Sequence, residues 1–161
     1  PPRSTQGVSS AASDVYKRQV QRVSSAEIFI KGSKHASIKQ GIVVFICIES
    51  SDTIQEVLKM KDKIYTFNIL EDDNCTMSAC LMKLKEDIMI ISQFTLAAIT
   101  SKGVKPSFHK AAKPEEAKLL YYEFINECKK EQNNLVEGIF GEQMDIQLVN
   151  KGPITFNFKV N

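Results

Sequence analysis

The run IVVFICI, from Ile42 to Ile48, constrains this chain more than any other feature. It carries no charged or hydroxyl side chain, is rich in β-branched residues and follows Gly41. A membrane-crossing helix needs about 20 apolar residues, so the run cannot be one. A strand that is apolar on both sides has to be covered on both sides, so the fold needs packing elements above and below it. A second apolar run, IMII at residues 88–91, leads directly into Ser92-Gln93-Phe94-Thr95. At 161 residues the chain fits one domain and is long enough to bury such strands. Its composition, 43% hydrophobic and 25% charged, is that of an ordinary globular protein. A net charge of +2 does not announce a nucleic-acid partner, so any such partner would be held by lysines gathered locally.

The remaining elements follow from periodicity. VQRVSSAEIFI, Val20 to Ile30, is β-rich but interrupted by Ser24-Ser25, which predicts one bent strand or two short ones, turned back at Gly32-Ser33. A helix is predicted after IVVFICI, capped by Asp52 with Gln55 as its capping-box partner and with Ile54, Val57, Leu58, Ile64 and Tyr65 on one face. Phe67 to Leu70 and Cys75 to Leu84 predict shorter strands around the turn EDDN, with Asp87 ending that hairpin. Pro114 opens a second helix, with Glu115 and Glu116 at its positive end, Lys129 and Lys130 at its negative end, and Ala117, Leu120, Tyr121, Phe124 and Cys128 as its apolar stripe. MDIQLV and ITFNFKV alternate with period two and predict two strands, with Gly152-Pro153 of NKGPIT as a rigid reversal between them. Strands with two inserted helices make an α+β or mixed α/β domain.

Residues 1–19 differ in texture, being polar, Ser-rich and without periodicity. DVYKRQ, Asp14 to Gln19, is what the codons GAT GTG TAT AAG AGA CAG encode, and that string resembles the end of a transposase adapter used in sequencing libraries. Residues 1–19 are therefore expected to be a non-native extension on a truncated first strand, and residues 20–161 a single domain.

Familiar catalytic engines are missing from the sequence. Cys47, Cys75, Cys80 and Cys128 show no C-x-x-C spacing and no partnering His, so neither a metal site nor a redox pair is expected. Reduced core thiols fit a cytoplasmic setting. His35, in a polar hairpin, and His109, in a loop, both read as solvated, as do the adjacent acids Glu86 and Asp87 in a turn. No G-x-S-x-G, H-E-x-x-H or G-x-x-x-x-G-K pattern occurs. What remains is ISQFTL, where Ser92, Gln93 and Thr95 close a very apolar strand; strand-end capping explains them as well as a binding site does. Lys102, Lys105 and Lys110 in the following loop are either a solvated face or a grip on a phosphate backbone.

Three stretches in order change that balance: QRVSSA at Gln21 to Ala26, SQFTL followed by KGVKPSFHKAAKPEEAKLLYYEF, and MDIQLVNKGPITF. Together they resemble the D-aminoacyl-tRNA deacylase family from about Val20 to Val160. The resemblance implies mostly antiparallel sheets in a barrel-like core with two main helices. It implies a homodimer with its active site at the subunit interface, no cofactor, no metal and no membrane. The implied reaction is hydrolysis of the ester joining a D-amino acid to the 3′-terminal adenosine of tRNA, and of glycine mischarged on tRNA-Ala. Ser92, Gln93, Phe94 and Thr95 would form the catalytic pocket. Gly152 and Pro153, through a cis peptide bond, would reach the other subunit's pocket as a chirality filter, with Asn150 beside them on the substrate and Arg22 as their anchor. Backbone placed where an L side chain would project leaves room only for hydrogen, so D-amino acids and glycine fit and L-amino acids clash. The tRNA 2′-hydroxyl would assist the attack, and a Thr95 nucleophile is the competing mechanism. A non-enzymatic nucleic-acid-binding or replication-associated role is the alternative from another class. SQFT argues for the chirally selective type rather than a relative of the same fold with a trans Gly-Pro.

Overall fold

The structure is a computed structural model that describes residues 18–159, so the stretch expected to be non-native lies outside it except for Arg18 and Gln19. The first strand, β1 (Arg18–Ile30), is a single strand; exposed Ser24 and Ser25 bend it without splitting it. One edge of β1 takes two antiparallel partners in succession. Residues 18–23 pair with β3 (Gly41–Ile46), and residues 26–30 pair with β2 (Ser33–Ile38). Lys31 and Gly32, with φ of 51° and 79°, form the tight turn into β2.

β3 continues the sheet through two parallel pairings, first to β6 (Asp87–Ser92) and then to β7 (Leu135–Glu137). The order is therefore β2-β1-β3-β6-β7, with β8 (Asp145–Phe158) along the other edge of β1. The ends of that order come back together, because the His35 ring of β2 lies 3.2 Å from the Glu137 carbonyl of β7. The sheet is nearly closed, a barrel-like core in an α+β fold with three helices. His35 is exposed, as read above, and it also bridges two strands.

The two-sided covering that IVVFICI demands is met. Val43, Met89 and Ile91 pack inside the curl with Val23, Ala26, Ile28 and Ile38. Ile42, Val44, Ile46, Ile88 and Ile90 point outward beneath α1 (Ile54–Thr66) and α3 (Pro114–Cys128). The α1 cap lies one residue later than expected. Thr53 Oγ accepts from Gln55 N at 3.2 Å and the Glu56 carboxylate accepts from Thr53 N at 2.7 Å, while Asp52 accepts from Glu49 N at 2.8 Å. The α3 start agrees with the sequence: Pro114 and two acids fill the first turn, and Ile125 joins the expected stripe. No helix among the described residues is long and apolar enough to cross a membrane.

Two expectations change. The strand predicted from Cys75 to Leu84 is only β5 (Met77–Ala79), paired with β4 (Leu70–Glu71). Residues Leu81–Leu84 form the short helix α2, ended by Lys85 in the left-handed conformation, and Asp87 begins β6 instead of ending a hairpin. The larger change concerns Gly152-Pro153, which does not separate two strands. β8 runs through it and stays paired with β1 on both sides.

Candidate active site

The register of β1 against β8 sets up the most unusual feature of the molecule. Gln21 pairs with Thr155 and Val23 with Asn150, so Arg22 alone faces the four residues Lys151, Gly152, Pro153 and Ile154. Extra residues on one strand of a pair have to bulge outward. Here the bulge is a braced bend whose tip residues, Gly152 and Pro153, are exposed. The Gly152–Pro153 peptide bond is cis. At Gly152 φ is +141°, and an added Cβ would lie 2.6 Å from Ile154 Cγ1 and 2.9 Å from Ile154 N. Only glycine meets both conditions.

Arg22 grips the bend from below. It is 6% exposed; its Nε donates to the Lys151 carbonyl at 3.0 Å, its Nη1 donates to the Ile69 carbonyl at 3.2 Å, and its Nη2 sits 3.2 Å from Glu71 Oε1. Glu71 Oε2 also lies 3.8 Å from Lys151 Nζ. Asn150 closes the neck. Its Oδ1 accepts from Ile154 N at 2.6 Å, and its Nδ2 reaches the Ile154 carbonyl at 3.1 Å, Thr155 Oγ at 3.0 Å and Gln21 Oε1 at 3.2 Å. The Asn150 amide is thus engaged by the bend itself.

A cavity of about 470 Å³ opens at the ends of β3 and β6, walled by Ile46 to Ile48, Ile91 to Phe94, Ala111, Ala112, Pro114, Tyr121 and Phe140 to Glu142. Ser92, Gln93 and Phe94 of the SQFT segment form its floor. Gln93 N donates the last sheet bond, to the Ile46 carbonyl at 2.7 Å, and the chain then tightens into a 3₁₀ turn over Phe94–Ala97. The first amide N–H groups of such a turn, on Phe94 and Thr95, have no acceptor within it. Phe94 is 62% exposed and packs on Phe108 with ring centroids 5.1 Å apart. Gln93 Nε2 donates to Thr95 Oγ.

Buried groups fix the walls. Tyr121 Oη, on α3, lies 3.2 Å from the Ile90 carbonyl and 3.0 Å from that of Gly138, tying the helix to β6 and to the turn after β7. Burial pushes the pKa of this phenol up, which disfavours its ionisation. Cys47 Sγ lies 3.5 Å from the Phe94 carbonyl, and burial pushes its thiol up to about 11. Both groups are neutral near pH 7. Glu142 is the one carboxylate in the lining among the described residues.

The residues read as solvated in the sequence lie away from the cavity. His109 Nδ1 contacts Ser107 Oγ at 3.0 Å on an exposed loop, Glu86 accepts from Gln40, and Asp87 accepts from Lys39 N. The wall Phe140 to Glu142 was not anticipated; its only sequence signal is the pair of glycines flanking Ile139-Phe140, of which Gly141 has a φ of 83°. Ser92, Gln93 and Phe94 line the cavity, Thr95 lies next to them and is held to Gln93 without being part of the lining, and Arg22, Asn150, Gly152 and Pro153 come together at the bend. Residues of the bend are absent from the described cavity lining of the same protomer.

The sequence matches the D-Tyr-tRNA(Tyr) deacylase family over residues 19–159. The chain belongs to this family. Curated relatives include a D-aminoacyl-tRNA deacylase of Francisella tularensis subsp. tularensis, 42% identical over 88% of this chain and 97% of that protein. Another is the D-aminoacyl-tRNA deacylase of Shewanella halifaxensis, 38% identical over the same shares. Among solved structures, a c-Myc DNA Unwinding Element Binding Protein superposes with a TM-score of 0.86 at 32% identity, covering 90% of this chain and 99% of that one. A probable eukaryotic D-amino acid tRNA deacylase, at 15% identity and a TM-score of 0.77, shares the fold over 89% of this chain and 98% of its own. The deacylase family comprises hydrolases acting on aminoacyl-tRNA, and this chain is one of them.

Proposed function

We propose that the protein removes D-amino acids, and glycine mischarged on tRNA-Ala, from tRNA by ester hydrolysis in the cytoplasm. In this reading it works as a homodimer in which the bend of each protomer enters the cavity of its partner. The observation that carries the reading is the Arg22-braced bend: rigid, exposed, and outside the cavity of its own chain. A tip of bare backbone with no room for a Cβ suits a steric filter. Placed beside the substrate α-carbon, it leaves space for hydrogen and none for an L side chain.

The chemistry follows from what the cavity offers. An aminoacyl ester is already activated, and placement plus oxyanion stabilisation can each supply several kcal/mol. The Phe94 and Thr95 amides are the donors for the oxyanion formed when water adds to the ester carbonyl. The 2′-hydroxyl of the terminal ribose relays the water proton, and the bond to the 3′-oxygen then breaks. Thr95 is poorly set up as a nucleophile, since its hydroxyl neighbour is the Gln93 amide, and an amide cannot take up its proton.

One assay tests this. D-Tyr-tRNA and L-Tyr-tRNA are offered in parallel and free tyrosine is followed. Release from the D ester only is expected; equal release from both overturns the filter. Thr95→Ala and Glu142→Gln are expected to keep most activity, whereas tRNA ending in 2′-deoxyadenosine is nearly inert. An inactive Thr95→Ala enzyme, together with ready cleavage of the 2′-deoxyadenosine substrate by the wild-type protein, would restore the threonine mechanism. A second reading, nucleic-acid binding without hydrolysis, is favoured by the likeness to a protein named for binding a DNA unwinding element. It predicts retention of tRNA with no tyrosine released.

A further inference from the structure

The cavity of about 470 Å³ has room for a terminal aminoacyl nucleoside and none for a duplex. If the deacylase reading holds, the rest of the tRNA must therefore lie over the cavity mouth. One wall of that mouth is the loop between the 3₁₀ turn and α3, and this loop is firmly docked. Ile99 and Ser107 exchange main-chain bonds at 2.7 and 3.0 Å, closing its tip. Its return arm is tied to the end of β3, through Ser50 N to the Lys110 carbonyl and Ala112 N to the Ile48 carbonyl, both at 3.0 Å. Phe108 rests on Phe94 of the cavity floor.

The charge on this loop is one-sided. From Ile88 to Pro114 the sequence has no acidic residue, yet it carries Lys102, Lys105, Lys110 and Lys113. The whole chain is only +2, so everything outside this stretch is net negative. Lys34, Lys61, Lys129, Lys130 and Lys151 each sit against a glutamate, whereas Lys102, Lys105 and Lys113 are exposed and take part in no ion pair recorded among the described residues. Acids resume beyond the loop, with Glu115 and Glu116 in the first turn of α3 and Glu142 in the facing wall, and they confine the basic strip to one side of the mouth.

We infer that Lys102, Lys105 and Lys113 bind backbone phosphates of the tRNA acceptor stem and so hold the ester end over the cavity. Cationic contacts far from the reacting atoms bind substrate and transition state alike, so they act on KM and leave kcat alone. They also release counterions, so the affinity they provide falls with salt.

The test compares the full-length protein with a Lys102→Gln, Lys105→Gln, Lys113→Gln triple variant on two substrates, D-Tyr-tRNA and 3′-O-D-tyrosyl-adenosine, which lacks the stem. For D-Tyr-tRNA the triple variant is expected to raise KM about 10-fold or more near 100 mM salt, with kcat within about twofold. The slope of log kcat/KM against log salt should flatten by about 2 to 3, at about 0.7 to 0.9 per lost contact. Cleavage of the adenosine ester should not change. An unaltered KM and slope for D-Tyr-tRNA overturns the inference, and so does an equal loss on both substrates, which would mean that the loop only shapes the cavity. Should the wild-type protein cleave neither ester, the deacylase reading fails, and binding of uncharged tRNA with or without the three lysines still decides whether the loop grips phosphate.

Discussion

Arg18 and Arg22 lie one helical repeat apart in sequence but on the same strand, and both side chains are buried in β1, at 0% and 6% exposure. Their surroundings treat them in opposite ways. Arg22 meets two carbonyls and a carboxylate through its fork of donors. Arg18 has Asp52 at 3.9 Å, and its Nε, Nη1 and Nη2 make no hydrogen bond among the described residues. Burial lowers its affinity for the proton, and this outweighs the pull of Asp52, Glu49, Cys47 and Glu56 in the other direction. A buried guanidinium organises its neighbourhood only when its donors are answered; otherwise it costs desolvation with little return. Arg22 therefore reads as part of the working machinery. Arg18 stands where its strand partners are Ile46 and Phe158, a position that suits an apolar side chain.

The largest effect is expected at Arg22. Arg22→Ala leaves the part-exposed Glu71 carboxylate only its 3.8 Å contact with Lys151 and takes the donor from the Lys151 and Ile69 carbonyls, and breaking this largely buried set costs about 3 kcal/mol. A bend displaced by about 1 Å should lower kcat/KM on the D ester about 100-fold. Arg22→Lys should rescue little, because an ammonium cannot fork between three acceptors. Urea unfolding and D-Tyr-tRNA hydrolysis check both parts. Wild-type stability in Arg22→Ala would erase the contrast between the two arginines.

The opposite sign is expected at the other site. Changing Arg18→Met alone would leave buried Asp52 short of a cation, so the informative variant also carries Asp52→Asn, which still accepts from Glu49 N. Replacing a poorly bonded buried pair in this way commonly stabilises by about 1–4 kcal/mol. A rise in the urea midpoint with unchanged hydrolysis is the expected outcome, and a fall would show that the Asp52 attraction outweighs burial. A smaller effect separates ion pairing from hydrogen bonding at Arg22. Glu71 is 25% exposed and Lys151 is 35% exposed, so Glu71→Gln should cost only about 0.5–1 kcal/mol, shrinking with salt. A loss approaching that of Arg22→Ala would make the carboxylate the true anchor.

The same contrast shows what was legible in the sequence. The strand IVVFICI demanded cover on both faces, and the barrel interior and the two long helices provide it. SQFTL stood out because polar side chains close an otherwise apolar run, and its first three residues, Ser92, Gln93 and Phe94, do line the cavity. The bend was misread as a junction because alternation on either side of NKGPIT looks the same whether the interruption ends a strand or bulges out of it. What decides is Arg22, 129 positions away from Lys151 and visible only once β1 and β8 are in register. The cap of α1 was ambiguous for a local reason. Asp52 with Gln55 and Thr53 with Glu56 have the same spacing, and the ionised carboxylate makes the stronger reciprocal bond. Closure of β2 on β7 through His35 is likewise non-local and left no trace in periodicity.

Cys47 gives the smallest and most local readout of the Arg18 charge. Burial is the main cause that raises its thiol from 9.0 to about 11; Glu49 and Asp52 raise it further, while Arg18 opposes them. Below pH 9 the thiol is neutral in both the folded and unfolded chain, so it gives no pH dependence there. Between about 9 and 11 the unfolded chain ionises first, so stability falls as pH rises, and the loss levels off once the folded thiol also ionises. Cys47→Ala should flatten part of that decline in urea midpoints; Cys128, pushed up to about 12 by burial, contributes in the same direction and remains. Removing the opposing cation with Arg18→Met should move the pH midpoint of Cys47 alkylation, read by peptide mass spectrometry on the folded protein, upward. An unchanged midpoint would mean that Arg18 carries no charge at this site, and its partnership with Asp52 would then be a contact without an ion pair.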